Sequence, residues 1–248
     1  MASKLLCAFL AALCAAQVMA SPLHLAAHPS ANHKGLIADI NAAIEAVNAL
    51  QDSIGALKDQ INRTITVITV DTPAQIKNIL QKLQDLGIST EELLAAEAAI
   101  NQSLSNVEAV FTGIVADLEN ILTLTGQILS DLGSFNLIQL AQHILDLDAA
   151  FTKLQEDAST VLSRVSAEFT TIFNTIIDLT IGEPVEIVQQ ITQDILLIGE
   201  TWQAEGTKLW TAFTTVIDAA AAALDALWNI VSSDEPTTTV TPKLLISH

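Results

Sequence analysis

Three histidines near the N-terminus, His24, His28 and His33, come closest in residue type and spacing to a metal site. Neutral imidazole is a common ligand of zinc and copper. The surrounding residues are mainly Ala, Pro, Ser and Leu without a helical period, so the pattern predicts a flexible arm that holds no ligand in place. We expect no cofactor and no resident metal, and zinc or copper binding by this arm is the alternative hypothesis.

A second candidate for chemistry is His143, the only histidine inside a helical pattern. Asp146 follows three residues later, so the two side chains could share one helix face and act as an acid–base pair. Such catalysis also needs a substrate cleft, and the chain has no nucleophile elbow, zinc-protease motif, phosphate-binding loop or Glu-x-x-His motif. The pattern favours a histidine at the flank of a helix and predicts that the protein is not an enzyme.

Two asparagines lie in acceptor motifs for N-glycosylation, Asn62-Arg63-Thr64 and Asn101-Gln102-Ser103. Each asparagine directly follows an isoleucine of an apolar stripe. Both should therefore lie beside a packed seam with access to solvent. Asn62 and Asn101 are the predicted glycosylation sites of an exported chain.

All three tryptophans lie in the last helical segment. Trp210 and Trp228 are five helical turns apart, so they share one face with Ile217 and Leu224. This face adjoins the main apolar stripe, and together they form an arc wider than a seam between two helices requires. Either this helix is the most enclosed of the protein, or the arc opens to a lipid or a partner.

Gly206 lies near the apolar face of the same helix, one turn after Trp202. The missing side chain could leave room for a hydrophobic ligand, or it could let two helices approach closely. The candidate face for an apolar ligand or a partner therefore comprises Trp202, Gly206, Trp210, Ile217, Leu224 and Trp228.

Residues 1–20 have the order of a secretory signal peptide, with a positive charge at Lys4, an apolar run and small residues before Ser21. Both cysteines, Cys7 and Cys14, lie within it. Its removal would leave a chain without thiols in an oxidising compartment, which excludes disulfides, thiolate nucleophiles and cysteine zinc sites. The sequence predicts a secreted, extracellular protein that is stabilised by packing alone.

The charge of the chain restricts its partners. There are 10 basic and 28 acidic residues, a formal charge of −18, and half of the residues are hydrophobic. Such a surface disfavours nucleic acid and anionic lipid headgroups, because binding either requires basic side chains. Apolar small molecules, neutral lipid and extracellular proteins remain as partners. No transmembrane anchor is predicted, because the most apolar later run, 209–231, contains Asp218 and Asp225.

Apolar residues three and four positions apart recur along most of the chain from residue 34, which is typical of helices that bury one face. A short helix is predicted at 73–86, ended by Gly87. Ser89 and Glu92 have the spacing of a capping box at the start of a long helix. The four long helices are predicted from residue 34 to about 61, from 90 to 133, from 137 to about 179 and from 184 to 232.

The segment 64–70 consists of seven consecutive β-branched residues, which favour extended backbone and weaken the helix prediction there. Asp71, Thr72 and Pro73 then have the form of a helix cap followed by proline in the first turn. Whether 64–70 is helical is left open by the sequence, and the short helix is predicted to begin after Asp71 and Thr72.

The predicted fold is all-α, an elongated antiparallel bundle of four long helices plus one short helix with coiled-coil-like packing. Antiparallel neighbours follow from links of three or four residues between helices of about 65 to 70 Å. The predicted domains are the signal peptide 1–20, a flexible arm 21–33, the helical bundle 34–232 and a disordered Thr/Pro-containing tail 233–248.

In composition and period, this exported, cysteine-free set of long amphipathic helices resembles the exchangeable apolipoproteins, such as the insect apolipophorins, and small fungal hydrophobic-surface-binding proteins. The resemblance carries over no motif residue. It implies binding of lipids or apolar surfaces.

The leading functional hypothesis is non-covalent binding of hydrophobic ligands, lipids or apolar surfaces by helices that separate or admit a guest. The alternative is an extracellular structural or interaction protein that acts through self-association, as a homo-oligomer, or through docking of a partner. A minor alternative is a helical toxin that permeabilises membranes.

Overall fold

The computed structural model describes residues 35–233, and every regular element within them is helical. The predicted signal peptide, the arm with its three histidines, and the tail from residue 234 lie outside the described residues. The elements in chain order are α1 (Leu36–Thr66), a π-helical turn (Val67–Asp71), α2 (Thr72–Asp85), α3 (Thr90–Ser134), α4 (Leu137–Asp178) and α5 (Val185–Ser233).

The four long helices pack as an antiparallel bundle, and the predicted fold class is confirmed. Lys58 of α1 contacts Glu119 of α3, Lys153 of α4 contacts Asp117 of α3, and α5 lies against both α1 and α4. α3, α4 and α5 have 45, 42 and 49 residues, which corresponds to about 63 to 74 Å at 1.5 Å per residue. The molecule is accordingly an elongated rod with a core along its axis.

The helices pack against one another unequally. α1 lies closely along α5, and α3 closely along α4, whereas the contacts of α1 with α3 and of α4 with α5 are sparser. The bundle therefore consists of two close pairs, α1–α5 and α3–α4, which meet at two looser seams. Short α2 continues α1 towards the connections between the pairs and packs on both α5 and α3.

Both chain connections between the two pairs, residues 86–89 and 179–184, lie at the same end of the rod, which we call the connection end. The opposite end, the hairpin end, contains residues 135–136, which join α3 to α4 within one pair. Gly87 and Gly182 have positive φ angles of 98° and 94°, a conformation that glycine adopts without steric cost. Each connection between the pairs thus contains one such glycine.

The sequence left open whether 64–70 is helical, and the backbone stays helical there, from α1 through the π-helical turn into α2. The threonine hydroxyls are satisfied within the helix: Thr64 donates to the carbonyl of Gln60 at 2.9 Å, and Thr69 donates to the carbonyl of Ile65 at 2.9 Å. Thr64 and Ile68 are also buried in the core. Tertiary burial therefore outweighs the local preference of β-branched residues for extended backbone.

The predicted short helix is present as α2, but the prediction that Asp71 caps it is wrong. Asp71 has right-handed helical angles, and its side chain makes no capping hydrogen bond. The π-helical turn ends two residues before Pro73, whose ring would crowd the carbonyl of Thr69 in a regular α-helix. The wider turn accommodates the proline while the helix continues.

The other helix ends follow the sequence closely. Ser89 and Glu92 form the predicted capping box, in which the Ser89 hydroxyl accepts from the Glu92 amide and the Glu92 carboxylate accepts from the Ser89 amide, each at 3.2 Å. The glycines inside α3 and α5 do not interrupt either helix. The helices consequently present uninterrupted apolar stripes to one shared core.

Candidate functional site

An apolar crevice lies near the middle of the seam between α4 and α5, where side chains of all four long helices meet. It encloses a void of about 30 Å³. α1 and α3 form its floor, while α4 and α5 form its walls. The lining includes Leu57, Phe111, Ala158, Leu162, Trp210 and Phe213.

Trp210 borders the crevice on α5 and is half-buried, as are Leu209 on the same helix and Ala158 on α4. The Trp210 ring stacks on Phe213, with centroids 5.6 Å apart and an interplanar angle of 28°. Ala158 occupies a core position with a short side chain, so it fills little of the space between the helices. The crevice therefore combines an underfilled wall with an aromatic rim.

The chemistry of this crevice suits hydrocarbon alone. Its lining residues are all apolar, so a water molecule inside would lack the two to four polar partners that ordered buried water needs. At about 30 Å³ the void is far smaller than the roughly 300 Å³ or more of a pocket for a drug-sized ligand. A ligand of that size can enter only if α4 and α5 move apart.

Trp202, on the same helix as Trp210, occupies a different environment. It is 4% exposed, and its indole Nε1 donates to the Thr72 hydroxyl at 2.8 Å. The Thr72 hydroxyl in turn donates to the carbonyl of Val67 at 2.9 Å. The indole thus ties α5 to the π-helical turn, and Trp202 is a fixed point of the fold.

The ring of Phe169, on α4, completes this anchor. Its centroid lies 5.3 Å from that of Trp202. A Cβ atom on Gly199 would lie 2.9 Å from the tip of the same ring, so the absence of a side chain there lets α4 and α5 approach. We call Thr72, Phe169, Gly199 and Trp202 the tryptophan anchor. It holds the α4–α5 seam together between the crevice and the connection end.

The remaining residues of the predicted face lie in the core or at its edge. Leu224 is buried, whereas Ile217 and Trp228 are half-buried and pack on the core. The Trp228 Nε1 atom is buried without an acceptor among the described residues. A Cβ on Gly206 would meet no atom within 4 Å, so the hypothesis that this glycine lets two helices approach is wrong; Gly199 has that role. The face is mostly enclosed by the bundle.

Polar side chains link the two pairs across the other loose seam, between α1 and α3. The Gln51 amide donates to the Thr125 hydroxyl at 2.9 Å, and the Lys58 ammonium lies 3.1 Å from the Glu119 carboxylate. Thr125 is fully buried, although in the sequence it only interrupts the apolar stripe of α3. Its position opposite Gln51 could not be found from one helix alone.

His143 does not pair with Asp146, the partner that the sequence spacing allowed. The His143 Nδ1 atom lies 2.6 Å from the Oδ2 atom of Asp131 on α3, while Asp146 accepts a hydrogen bond from Gln142. Asp131 is 6% exposed, so its carboxylate is almost entirely closed to solvent. The pair satisfies a buried carboxylate between α3 and α4, as expected for a structural contact.

Both candidate glycosylation sites, Asn62 and Asn101, are exposed. The hydroxyl residues of the same motifs, Thr64 and Ser103, are each 3% exposed. A glycan on either asparagine would project from the rod into solvent and leave the core undisturbed. Glycosylation of these residues stays a prediction.

Within residues 35–233, no group of three or more His, Cys, Asp or Glu side chains could hold a metal ion. One described helix, α5, is long and apolar enough to cross a membrane by length and composition, with a window of mean hydropathy 1.3. The core helix of a soluble protein passes the same test, so this property alone identifies no membrane span.

Comparisons with protein-family models, with curated proteins and with solved structures gave no match to this chain.

Proposed function

We propose that the protein binds apolar molecules or neutral lipid surfaces non-covalently, by separating the α3–α4 pair from the α1–α5 pair. The observation that carries the proposal is the all-apolar crevice on the looser α4–α5 seam. A guest would enter there and replace contacts between helices with contacts between helix and ligand.

The path of the chain supports such a motion. The two connections between the pairs lie together at the connection end, each with a glycine at positive φ. At the hairpin end no connection joins one pair to the other within the described residues. Opening would therefore widen from the hairpin end, while the tryptophan anchor keeps the seam closed near the connection end.

The energetics make the opening depend on a guest. Separating the pairs in water exposes apolar core surface at roughly 25 cal/mol per Å², so the open form is disfavoured without a ligand. A hydrocarbon guest or a lipid surface covers the same area and removes most of this cost. The charge of −18 favours uncharged guests over anionic ones.

A cross-linking experiment tests the proposed separation. Lys58→Cys and Glu119→Cys, in a full-length Cys7→Ser/Cys14→Ser background, place thiols on opposite sides of the α1–α3 seam. We expect a short, thiol-cleavable bismaleimide between them to abolish binding to triolein–phosphatidylcholine emulsion in a flotation assay. Cleavage of the linker should restore binding.

A second cross-link provides the matched control. Asp117→Cys and Lys153→Cys in the same background join α3 to α4, which remain together in the proposed motion. This linker should leave emulsion binding unchanged. Equal binding with the 58–119 linker intact or cleaved would contradict the separation of the pairs, and absence of binding by the unmodified protein would contradict the function itself.

A further inference from the structure

The turn between α3 and α4 contains the only non-glycine residue with positive φ among residues 35–233, Phe135 at 54°. The Asn136 amide donates to the carbonyl of Asp131 at 3.0 Å, and the Phe135 amide donates to the carbonyl of Leu132 at 3.4 Å. These two bonds form the Schellman motif that ends many helices, usually with glycine at the left-handed position. A phenylalanine there is strained, and such strain often marks a functional position.

The strained side chain points into solvent. Phe135 is 61% exposed, and Ile138, one turn further in α4, is 87% exposed. The polar groups beside them are paired locally. The side-chain amide of Asn136 donates to the Gln139 Oε1 atom at 2.9 Å, and the Ser134 hydroxyl donates to the carbonyl of Ser130 at 2.9 Å. The turn therefore offers two large apolar side chains and few unpaired side-chain polar groups.

The two ends of the rod also differ in charge. Residues 132–142, around the turn, contain no acidic or basic residue, and the helical turns that meet at the hairpin end contain two carboxylates, Asp39 and the buried Asp131. At the connection end, the loops and the adjoining helical turns contain six carboxylates: Asp85, Glu91, Glu92, Asp178, Glu183 and Glu186. An uncharged interface is thus complementary to the hairpin turn and not to the connection end.

We infer that Phe135 and Ile138 are the contact by which the protein first docks, end-on, at an uncharged lipid–water interface. This inference rests on the proposed function and adds its point of entry. The turn lies at the end of the rod where the two pairs are free to separate, so docking there places the lipid next to the widening seam. The turn has an exposed aromatic ring at a strained position where glycine would be the stable choice.

Two substitutions in the full-length protein test this contact. Ile138→Gln should slow association with triolein–phosphatidylcholine emulsion about tenfold, because one isoleucine no longer inserts. Phe135→Asn should slow it similarly while leaving the thermal midpoint unchanged or higher, since asparagine tolerates the left-handed conformation. Stopped-flow Trp fluorescence gives the rates, and flotation gives the amount bound at saturation, which should be retained.

The matched control is Ile181→Gln, at the acidic connection end, where Ile181 is 81% exposed. Its association rate should equal that of the unmodified protein. Equal slowing by Ile138→Gln and Ile181→Gln, or no slowing by either, would overturn end-on docking while wild-type binding still supports the proposed function. A tip-to-tip dimer abolished by Ile138→Gln in sedimentation would also overturn it, because the occupant of the turn would then be a second copy.

Discussion

Trp202 and Trp210 lie eight residues apart on the same helix, yet one is fixed in place and the other borders a void. The Trp202 indole is hydrogen-bonded to Thr72 and covered by Phe169, whereas Trp210 is half-buried beside an underfilled wall. The same seam between α4 and α5 is therefore closed at the tryptophan anchor and loose at the crevice. The difference indicates where the bundle is held and where it can admit a guest.

The largest expected change in the free energy of unfolding comes from alanine substitution of these two tryptophans, which should differ in its cost. Trp202→Ala should lower the free energy of unfolding by about 3 to 5 kcal/mol, because it removes a buried ring and leaves a cavity. Trp210→Ala should cost only about 1 to 2 kcal/mol, because that ring is partly exposed. Denaturant unfolding followed by circular dichroism measures both, and equal losses would remove the distinction between anchor and crevice.

Alanine substitutions at two glycines of α5 should change the stability of the fold by an intermediate amount and in opposite directions. Gly206→Ala should stabilise the protein by about 0.5 to 1 kcal/mol, because alanine favours helix and the added methyl meets no atom. Gly199→Ala should destabilise it by about 1 kcal/mol, because the methyl would press on the buried Phe169 ring. Thermal unfolding of the two variants compares them, and a stabilising Gly199→Ala would show that the anchor is not tightly packed.

The smallest expected effect is a pH dependence of stability, which should arise from the ion pairs of the α3–α4 pair and not from the crevice. Hydrogen bonds to Asp117 and Asp157 raise the pKa of Lys153, and the bond from Lys153 lowers the pKa of Asp157. The lowered pKa of Asp157 stabilises the fold above its unfolded value of about 3.9 and loses this contribution as the pH falls through the folded-state value. The raised pKa of Lys153 stabilises the fold below about pH 10.4 and loses its contribution as the pH rises through the folded-state value.

Lys153→Met should therefore destabilise the protein slightly at pH 7, and its difference from wild type should shrink as the pH falls below about 4. The effect of Trp210→Ala should not depend on pH in this range, because no titratable residue lines the crevice. Urea unfolding at several pH values measures both differences. A pH-dependent Trp210→Ala difference would show that charged groups influence the crevice.

Much of the fold could be predicted because it depends on local pattern. The capping box at Ser89 and Glu92 is the clearest case, since both of its partners lie within one helical turn. The tryptophan anchor could not be predicted in the same way, because Thr72 and Trp202 are 130 residues apart. The crevice was only partly anticipated: Trp210 was a candidate and Ala158 lies in the apolar stripe of its own helix, but the sequence does not show that the two line one crevice.

The pairing of His143 shows the same limit. Sequence spacing offered Asp146 as its neighbour on one helix, whereas the fold brings Asp131 across from α3. A helical period identifies which residues of one helix share a face, but not which residues of a second helix stand opposite. That information is contained in the register between helices, which packing decides.

The sequence by itself determined that the described chain forms long amphipathic helices and where most of them end, because stripes, caps and glycines act over a few residues. Short links then left antiparallel packing as the only route for the chain. The tertiary structure alone decided which helices pair closely, that the backbone stays helical through 64–70, and that Phe135 takes a left-handed conformation. Each of these depends on burial and contacts between distant residues, which can outweigh local preference.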